Sequence, residues 1–388
     1  MPAATTVPAS RLAAWNEDNA AHTALWLSDT QGPAPARIVT ADDTLSADAA
    51  YRLISQGTSL LWRGDFQNAR QLLQALARRI DKKPLKKGRR PAQAPAATPL
   101  DLFNRHRLQQ SQRSALLNRL LIALDANAHI GLRRAPQVQD ACRAALGEVE
   151  APFLLPLRAL LGIIGAYEWQ KKGIAIASLP GRIHVPYGVF SPNRGEYIDL
   201  VAQAPLPATD LAFDIGTGSG VLAAVLAQRG VRKIIATDLD TRALACARDN
   251  IDRLGFGAAV EFEQADLFPA GISRLIVCNP PWLPARPTTA IEHAIYDPGN
   301  RMLLGYLHGL PAHLHADGEG WLIMSDLAEH LGLRDPGFLA DAIAAAGLRV
   351  IARHDTTPTH AKAADAGDPL HQARSAERTS LWRLGHSR

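Results

Sequence analysis

The spacing of apolar positions changes character near residue 173. Upstream it is helical. Between Ser46 and Ile80 the set Tyr51, Leu53, Ile54, Leu60, Leu61, Phe66, Leu72, Leu73 and Leu76 predicts two helices turned at Arg63-Gly64-Asp65. Residues 1–40 carry scattered apolar positions (Leu12, Trp15, Leu25, Trp26) and a break at Gly32-Pro33, which reads as a short helix and a loop. Leu116, Leu117, Leu120, Leu121 and Leu124 mark one helical face, and another helix is expected over about 136–146. Residues 153–168 are more apolar and read as a segment packed inside, or against the next domain. No internal repeat is visible.

After Gly173 the pattern becomes that of strands. Ile174 to Ser178, then Leu179-Pro180-Gly181, then Arg182 to Phe190 predict a β-hairpin with its turn at Pro180-Gly181. A helix is expected from about 195 to 204. Strands are expected near 211–216, 233–238, 259–264, 273–279, 319–325, 348–354 and 379–384, with helices between most of them. Such alternation predicts an α/β fold with an open, mostly parallel, Rossmann-like sheet of seven strands.

Composition narrows the class without naming a function. The chain has 388 residues, 47% of them hydrophobic, and no apolar run approaches 18, so membrane spans are excluded and two or three domains are expected. No signal peptide is evident. Cys142, Cys246 and Cys278 form no CxxC pair, which predicts neither a disulfide framework nor a zinc site and suits a reducing cytoplasm. The net charge of +5 is uneven. From Arg78 to Arg90 there are eight basic residues (Arg78, Arg79, Lys82, Lys83, Lys86, Lys87, Arg89, Arg90) against Asp81, leaving the rest of the chain slightly acidic. Pro84, Gly88, Pro91, Pro95 and Pro99 break any helix there, so the run reads either as a solvated linker alone or as a linker that also touches RNA phosphates or the ribosome. The boundaries follow: a helical N-terminal region over 1–80, a basic Pro-rich linker over 81–98, a helical segment over 99–172, and the α/β domain over 173–388.

Candidate chemistry gathers at the ends of the strands. Asp214-Ile215-Gly216-Thr217-Gly218-Ser219-Gly220 follows the first strand and leads into a helix, where glycines let backbone approach a ligand. Val221 stands where the dinucleotide spacing GxGxxG would require glycine, so the turn suits a ligand without a pyrophosphate. The next strand ends in Thr237-Asp238-Leu239-Asp240, and Asp238 can accept both hydroxyls of a ribose. The third ends in Asp266-Leu267, where Asp266 can accept an adenine amino proton. After Leu275-Ile276-Val277-Cys278 comes Asn279-Pro280-Pro281-Trp282. The Asn279 side-chain carbonyl and the Pro280 carbonyl, stiffened by two prolines, make a pair of acceptors for a planar NH2 group. Trp282, with little core to fill at a strand tip, offers a face for stacking. Cys278 reads as an inert core thiol, and His308, His313 and His315, on an expected helix without a carboxylate or cysteine partner, as no metal site.

With these residues assembled, the chain resembles the class I S-adenosylmethionine-dependent methyltransferases. Within them it is similar to the small-domain (MTS) group that holds the HemK/PrmC glutamine methyltransferases and base N-methyltransferases with an NPP(Y/F/W) motif. The resemblance covers about 173–388 and implies S-adenosyl-L-methionine as cofactor, held by Asp214, Gly216, Thr217, Gly218, Ser219, Gly220, Asp238, Leu239, Asp266, Leu267 and Asn279. It implies Asn279, Pro280, Pro281 and Trp282 as the catalytic motif, and Val189-Phe190-Ser191-Pro192 as a segment closing over the site. Asn193-Arg194-Gly195-Glu196-Tyr197 departs from the glutamine methyltransferases by one extra residue. The implied activity is N-methylation of a glutamine side chain in a translation factor or ribosomal protein, with an amino group of a ribosomal or transfer RNA base as the alternative. Two other classes remain open on the residues alone: an NAD-dependent oxidoreductase, which would expect GxGxxG, and a non-catalytic RNA-binding protein.

Overall fold

A computed structural model describes residues 11–28, 32–82, 97–192, 195–287, 292, 294–358 and 365–387. The chain divides into two compact units, one of residues 1–96 and 105–168, the other of 97–104 and 169–388.

The first unit is built on a six-stranded sheet. Its elements are β1 (Leu12–Glu17), β2 (Ala20–Trp26), β3 (Ile38–Ala41), α1 (Ala47–Ser55), β4 (Ser59–Trp62), α2 (Phe66–Asp81), α3 (Pro99–Leu117, whose first turns belong to the second unit), β5 (Leu120–Leu124), α4 (Gln139–Leu146), β6 (Phe153–Pro156) and α5 (Leu157–Lys172). The strand order is β1-β2-β6-β5-β4-β3, with β3, β4 and β5 parallel. This corrects the expectation of an α-helical N-terminal domain. Residues 12–26 form an antiparallel hairpin rather than a helix. Leu60 and Leu61 lie in β4, and Leu120, Leu121 and Leu124 in β5, all buried. A run of four or five apolar residues fits a buried strand as well as a helix face, and in this sheet every residue of β4 and β6 is buried. The helices α1, α2 and α4 do occupy their expected stretches, with Ser46 and Asp65 capping α1 and α2 through side-chain acceptors. Of the basic run, Arg78, Arg79 and Lys82 close α2, and Lys83 to Arg90 lie outside the described residues.

The second unit opens with a short hairpin of β7 (Ile174–Ala175) and β8 (Arg182–Ile183), then α6 (Glu196–Gln203). The remaining elements are β9 (Leu211–Ile215), α7 (Val221–Gln228), β10 (Lys233–Asp238), α8 (Thr241–Arg253), β11 (Val260–Gln264), β12 (Ser273–Cys278), α9 (Arg301–His313), β13 (Leu314–Ser325), α10 (Leu327–His330), α11 (Phe338–Ala345), β14 (Leu348–Thr356), α12 (His371–Ala376) and β15 (Thr379–His386). They form a seven-stranded sheet in the order β11-β10-β9-β12-β13-β15-β14. All neighbours are parallel except where β15 runs antiparallel between β13 and β14.

Strand alternation feeds two cores. Leu275 and Val277 of β12, Trp321 and Ile323 of β13 face one core, with α6 and α7; Ile276 and Cys278, Leu322 and Met324 face the other, with α9 and α11. The order reverses between β9 and β12, which pair directly with Val277 opposite Asp214 and Cys278 opposite Ile215. The chain therefore leaves the sheet at Gly216 and at Asn279 side by side, in the crevice where open α/β sheets bind ligands.

Candidate functional site

The glycine turn after β9 is shaped by backbone that side chains would not allow. Gly216, Gly218 and Gly220 have φ of 71°, 56° and 79°. A Cβ on Gly220 would fall 3.0 Å from Cα and Cβ of Ala247 on α8, and one on Gly216 would fall 2.5 Å from Cε of Met302 on α9. Glycine at these two positions lets both flanking helices close on the turn. Asp214 Oδ2, fully buried, accepts from Thr217 Oγ1 at 2.7 Å and from the Ala223 amide at 3.2 Å. Burial pushes its carboxyl up to about 6, against the pull of those two hydrogen bonds. Ser219 is held through its carbonyl, which accepts from Asn250 Nδ2 at 3.0 Å. Asn250 also exchanges two hydrogen bonds with the His184 backbone, so one buried amide joins the turn to the segment after the hairpin.

Asp238, half-buried at the end of β10, accepts from the Gly218 amide at 2.9 Å with Oδ2 and from the Asp240 amide at 2.9 Å with Oδ1. Each oxygen keeps lone-pair capacity for a hydroxyl. Burial raises its pKa, and those backbone donors work against the rise. Leu239, next to it, is 61% exposed, an unusual place for leucine and an apolar surface beside the turn. Asp266 is exposed and ion-pairs with Arg301. Leu267 follows with φ of 81°, and its carbonyl accepts from Thr237 Oγ1 at 2.5 Å, which ties the end of β11 to the end of β10. These residues, a bare turn, a carboxylate with open lone pairs and an exposed leucine, fit a nucleoside.

Beyond β12 the chain runs through half-buried Asn279, buried Pro280, and half-buried Pro281 and Trp282. Trp282 Nε1 donates to Asn279 Oδ1 at 3.0 Å. An indole N–H can only donate, so the amide oxygen must be the atom it meets, and the orientation of the Asn279 amide is set. One lone pair of Oδ1 is thereby used and one is left. The premise that Trp282 has little core to fill is corrected: its ring packs against both cores of the second unit. The chain after Trp282 is tied to a second loop, since the Asp297 amide donates to the Leu283 carbonyl at 2.8 Å. Asp297, itself buried, accepts from the amides of Met302 and Leu303 at 3.0–3.1 Å and so starts α9.

Arg334, between α10 and α11, reaches the same place. Its Nη2 donates to the Trp282 carbonyl at 3.2 Å and to Asn300 Oδ1 at 2.6 Å. Nothing in Leu333-Arg334-Asp335-Pro336 marks this arginine in the sequence, where it reads as part of a turn. Asn250 was equally silent, as one polar residue on an amphipathic helix.

Cys278 is fully buried in the core, and burial raises its thiol well above the usual range, as it raises Cys142 to about 11 and Cys246 to about 12. His308 and His313 lie on α9, whereas His315 lies in β13, because the helix gives way to strand at Leu314, and it pairs with Asp317. Among the described residues no group of His, Cys, Asp and Glu could hold a metal ion, and no helix is long and apolar enough to cross a membrane. Asn193 and Arg194, in the segment that departs from the glutamine methyltransferases, lie outside the described residues.

Comparison with known proteins points to methyltransferases. Residues 182–308 match the family model described as the methyltransferase small domain. The chain is 34% identical over 169 residues to a release factor glutamine methyltransferase of Cereibacter sphaeroides, covering 40% of this chain and 58% of that one. It is 27% identical over 195 residues to the protein of that name from Chlorobaculum tepidum, covering 47% and 62%. It is 36% identical over 114 residues to a tRNA1(Val) (adenine(37)-N6)-methyltransferase of Klebsiella pneumoniae, covering 24% and 46%. The chain thus spans less than two thirds of the length of each.

Proposed function

We propose that this chain, whose second unit carries a methyltransferase small domain, is an S-adenosylmethionine-dependent N-methyltransferase acting on a planar amide or amino nitrogen. One observation carries the reading: the glycine turn after β9 and the Asn279-Pro280-Pro281-Trp282 turn after β12 leave adjacent, directly paired strands. S-adenosylmethionine would be held along Gly216 to Gly220 with Asp238 and Leu239 at its ribose and base, and when bound would supply a methyl group made electrophilic by a sulfonium. Asp266 and Leu267 flank the base, Asp266 sharing its charge with Arg301. The remaining lone pair of Asn279 Oδ1 and the Pro280 carbonyl accept the two N–H bonds of the substrate. Both acceptors stabilise the positive charge that develops on the nitrogen as it is methylated. The nitrogen's lone pair, otherwise delocalised, is turned toward the methyl. Holding the pair in line contributes effective molarities on the order of 10⁵ M or more. The proton leaves to water after transfer, so no strong base is needed at the turn.

The substrate we favour is a glutamine side chain in a translation protein, for which the release factor methyltransferase similarity over 169 residues speaks. A second reading, an RNA base amino group, rests on the likeness to the tRNA adenine-N6 methyltransferase and on the basic run from Arg78 to Arg90. The test is transfer of labelled methyl from S-adenosylmethionine, by purified protein, to a lysate of cells lacking it. Label that survives RNase and is lost with protease supports glutamine, and the reverse supports RNA. Asn279→Ala is expected to lose transfer by about 10²–10³-fold, as removal of one transition-state hydrogen-bond partner does. S-adenosylhomocysteine should still bind it, measured by calorimetry. Nicotinamide dinucleotide binding in place of S-adenosylhomocysteine would overturn the reading.

A further inference from the structure

Arg334 keeps only 6% of its surface exposed, yet no carboxylate salt-bridges to it among the described residues. Its Nη2 instead serves two neutral acceptors, the Trp282 carbonyl and Asn300 Oδ1, and its Nε is buried without an acceptor. Burial lowers its pKa, and Glu329 and Asp297 nearby oppose that. Its Cζ also lies 5.6 Å over the Phe338 ring, and a buried cation without a carboxylate partner costs stability. Its partners indicate what is gained. Asn300 stands at the start of α9 in the left-handed region, φ 58°, after Gly299 with φ 67°. This tight double turn aims the Asn300 amide at Arg334. The guanidinium therefore joins the exit of the Asn279–Trp282 turn to the head of α9, whose Met302 lies under Gly216. It adds to the indole bond to Asn279 and to the bonds that Leu283 exchanges with Ile295 and Asp297.

We infer that Arg334 is a positioning residue for methyl transfer: by holding the Trp282 main chain it fixes the Pro280 carbonyl and the Asn279 amide in register with the cofactor turn. This rests on the reading of Asn279-Pro280-Pro281-Trp282 as the acceptor side of the reaction. The geometry asks for arginine in particular, because one planar nitrogen must direct its two hydrogens at two fixed acceptors, which a lysine ammonium does with less constraint.

The experiment compares wild type with Arg334→Met, Arg334→Lys and Asn300→Ala. Amide hydrogen exchange at Leu283, Ala285 and Asp297 reads the turn, and exchange in α7 serves as an internal reference. S-adenosylhomocysteine calorimetry reads the cofactor site and the folded fraction. Labelled methyl transfer to lysate of cells lacking the protein reads the reaction. Expected are about ten-fold faster exchange at the three amides with α7 unchanged, and unaltered cofactor affinity and stoichiometry. Transfer should fall about 10²-fold in Arg334→Met, the cost of an ångström-scale misplacement. Arg334→Lys should recover part of it, and Asn300→Ala should resemble Arg334→Met in weaker form. Wild-type exchange and transfer in Arg334→Met, or cofactor binding lost in step with transfer in all three variants, would overturn the inference. Wild-type transfer in Asn279→Ala would instead overturn the reading on which it rests, whatever Arg334 does to exchange.

Discussion

Asp214 shows how one residue carries both a structural and an electrostatic burden. It sits at the tip of β9 in a fully buried setting, and its two donors do not fully replace water, so its carboxyl rises from 3.8 to about 6. The sign follows from linkage. The native state binds this proton more readily than the unfolded chain, so Asp214 favours folding below about pH 4, and that contribution is lost as pH rises through about 6. A shift of this size corresponds to roughly 3 kcal/mol. Asn in its place keeps an acceptor for Thr217 Oγ1 and for the Ala223 amide and cannot ionise. The stability of Asp214→Asn relative to wild type is therefore expected to rise by roughly 2 kcal/mol between pH 4 and pH 8, part of the full effect lying below pH 4. Urea unfolding at a series of pH values measures it, any fixed offset from the added NH2 cancelling in the slope. A flat difference would mean that Asp214 titrates normally. In the sequence Asp214 was legible as a site residue because it precedes three glycines at a strand end. Its burial was not, since that depends on Thr217, α7 and the neighbouring strands. Trp282 was legible in type and misread in setting for the same reason: two cores meet at its ring, and that meeting is a property of the sheet.

At the scale of elements, the second unit could be read because its strands are short apolar runs ended by Asp, Gly or Asn and separated by longer helices. In the first unit the same kind of run, Leu60-Leu61-Trp62 or Phe153-Leu154-Leu155, abuts a helix whose apolar face continues the pattern, so period alone could not divide them. The start of α3 lies in the second unit. Residues 97–104 group with the second unit, and Phe103 is buried there among Leu283, Leu327, Ala328, Leu331 and Leu370. Leu283 follows Trp282 directly, so this cluster backs the acceptor turn. Phe103→Ala should leave a cavity costing about 3–5 kcal/mol and loosen Leu283. The measurements are urea unfolding and exchange at the Leu283 amide. A chain beginning at Trp169 lacks the segment and should show the same faster exchange; unchanged exchange in both would mean that the cluster does not support the turn.

At the scale of the whole molecule, the charge of the chain bears on which polymer would present the proposed nitrogen to Asn279. The excess of seven positive charges between Arg78 and Arg90 exceeds the net +5 of the entire protein, so nearly all its attraction for a polyanion is concentrated in one stretch. If RNA is the substrate, that stretch neutralises phosphates and releases counterions, and affinity falls with salt at a slope of about 0.7 to 0.9 per phosphate contacted. Replacing Lys83, Lys86, Lys87, Arg89 and Arg90 by Gln removes five of those charges. It should flatten the salt dependence of methyl transfer to an RNA fraction by about 3.5 to 4.5 in slope if each contacts one phosphate, and leave S-adenosylhomocysteine binding unchanged. If the substrate is a glutamine side chain, the acceptor turn is the same and the phosphate term is absent, so transfer should respond weakly to salt in both proteins. Initial rates at 50 to about 300 mM salt, below saturation of the acceptor, separate the two. On the proposed reading Asn279 and the Pro280 carbonyl would accept an NH2 group from either polymer, so discrimination between protein and RNA would have to come from outside the strand tips.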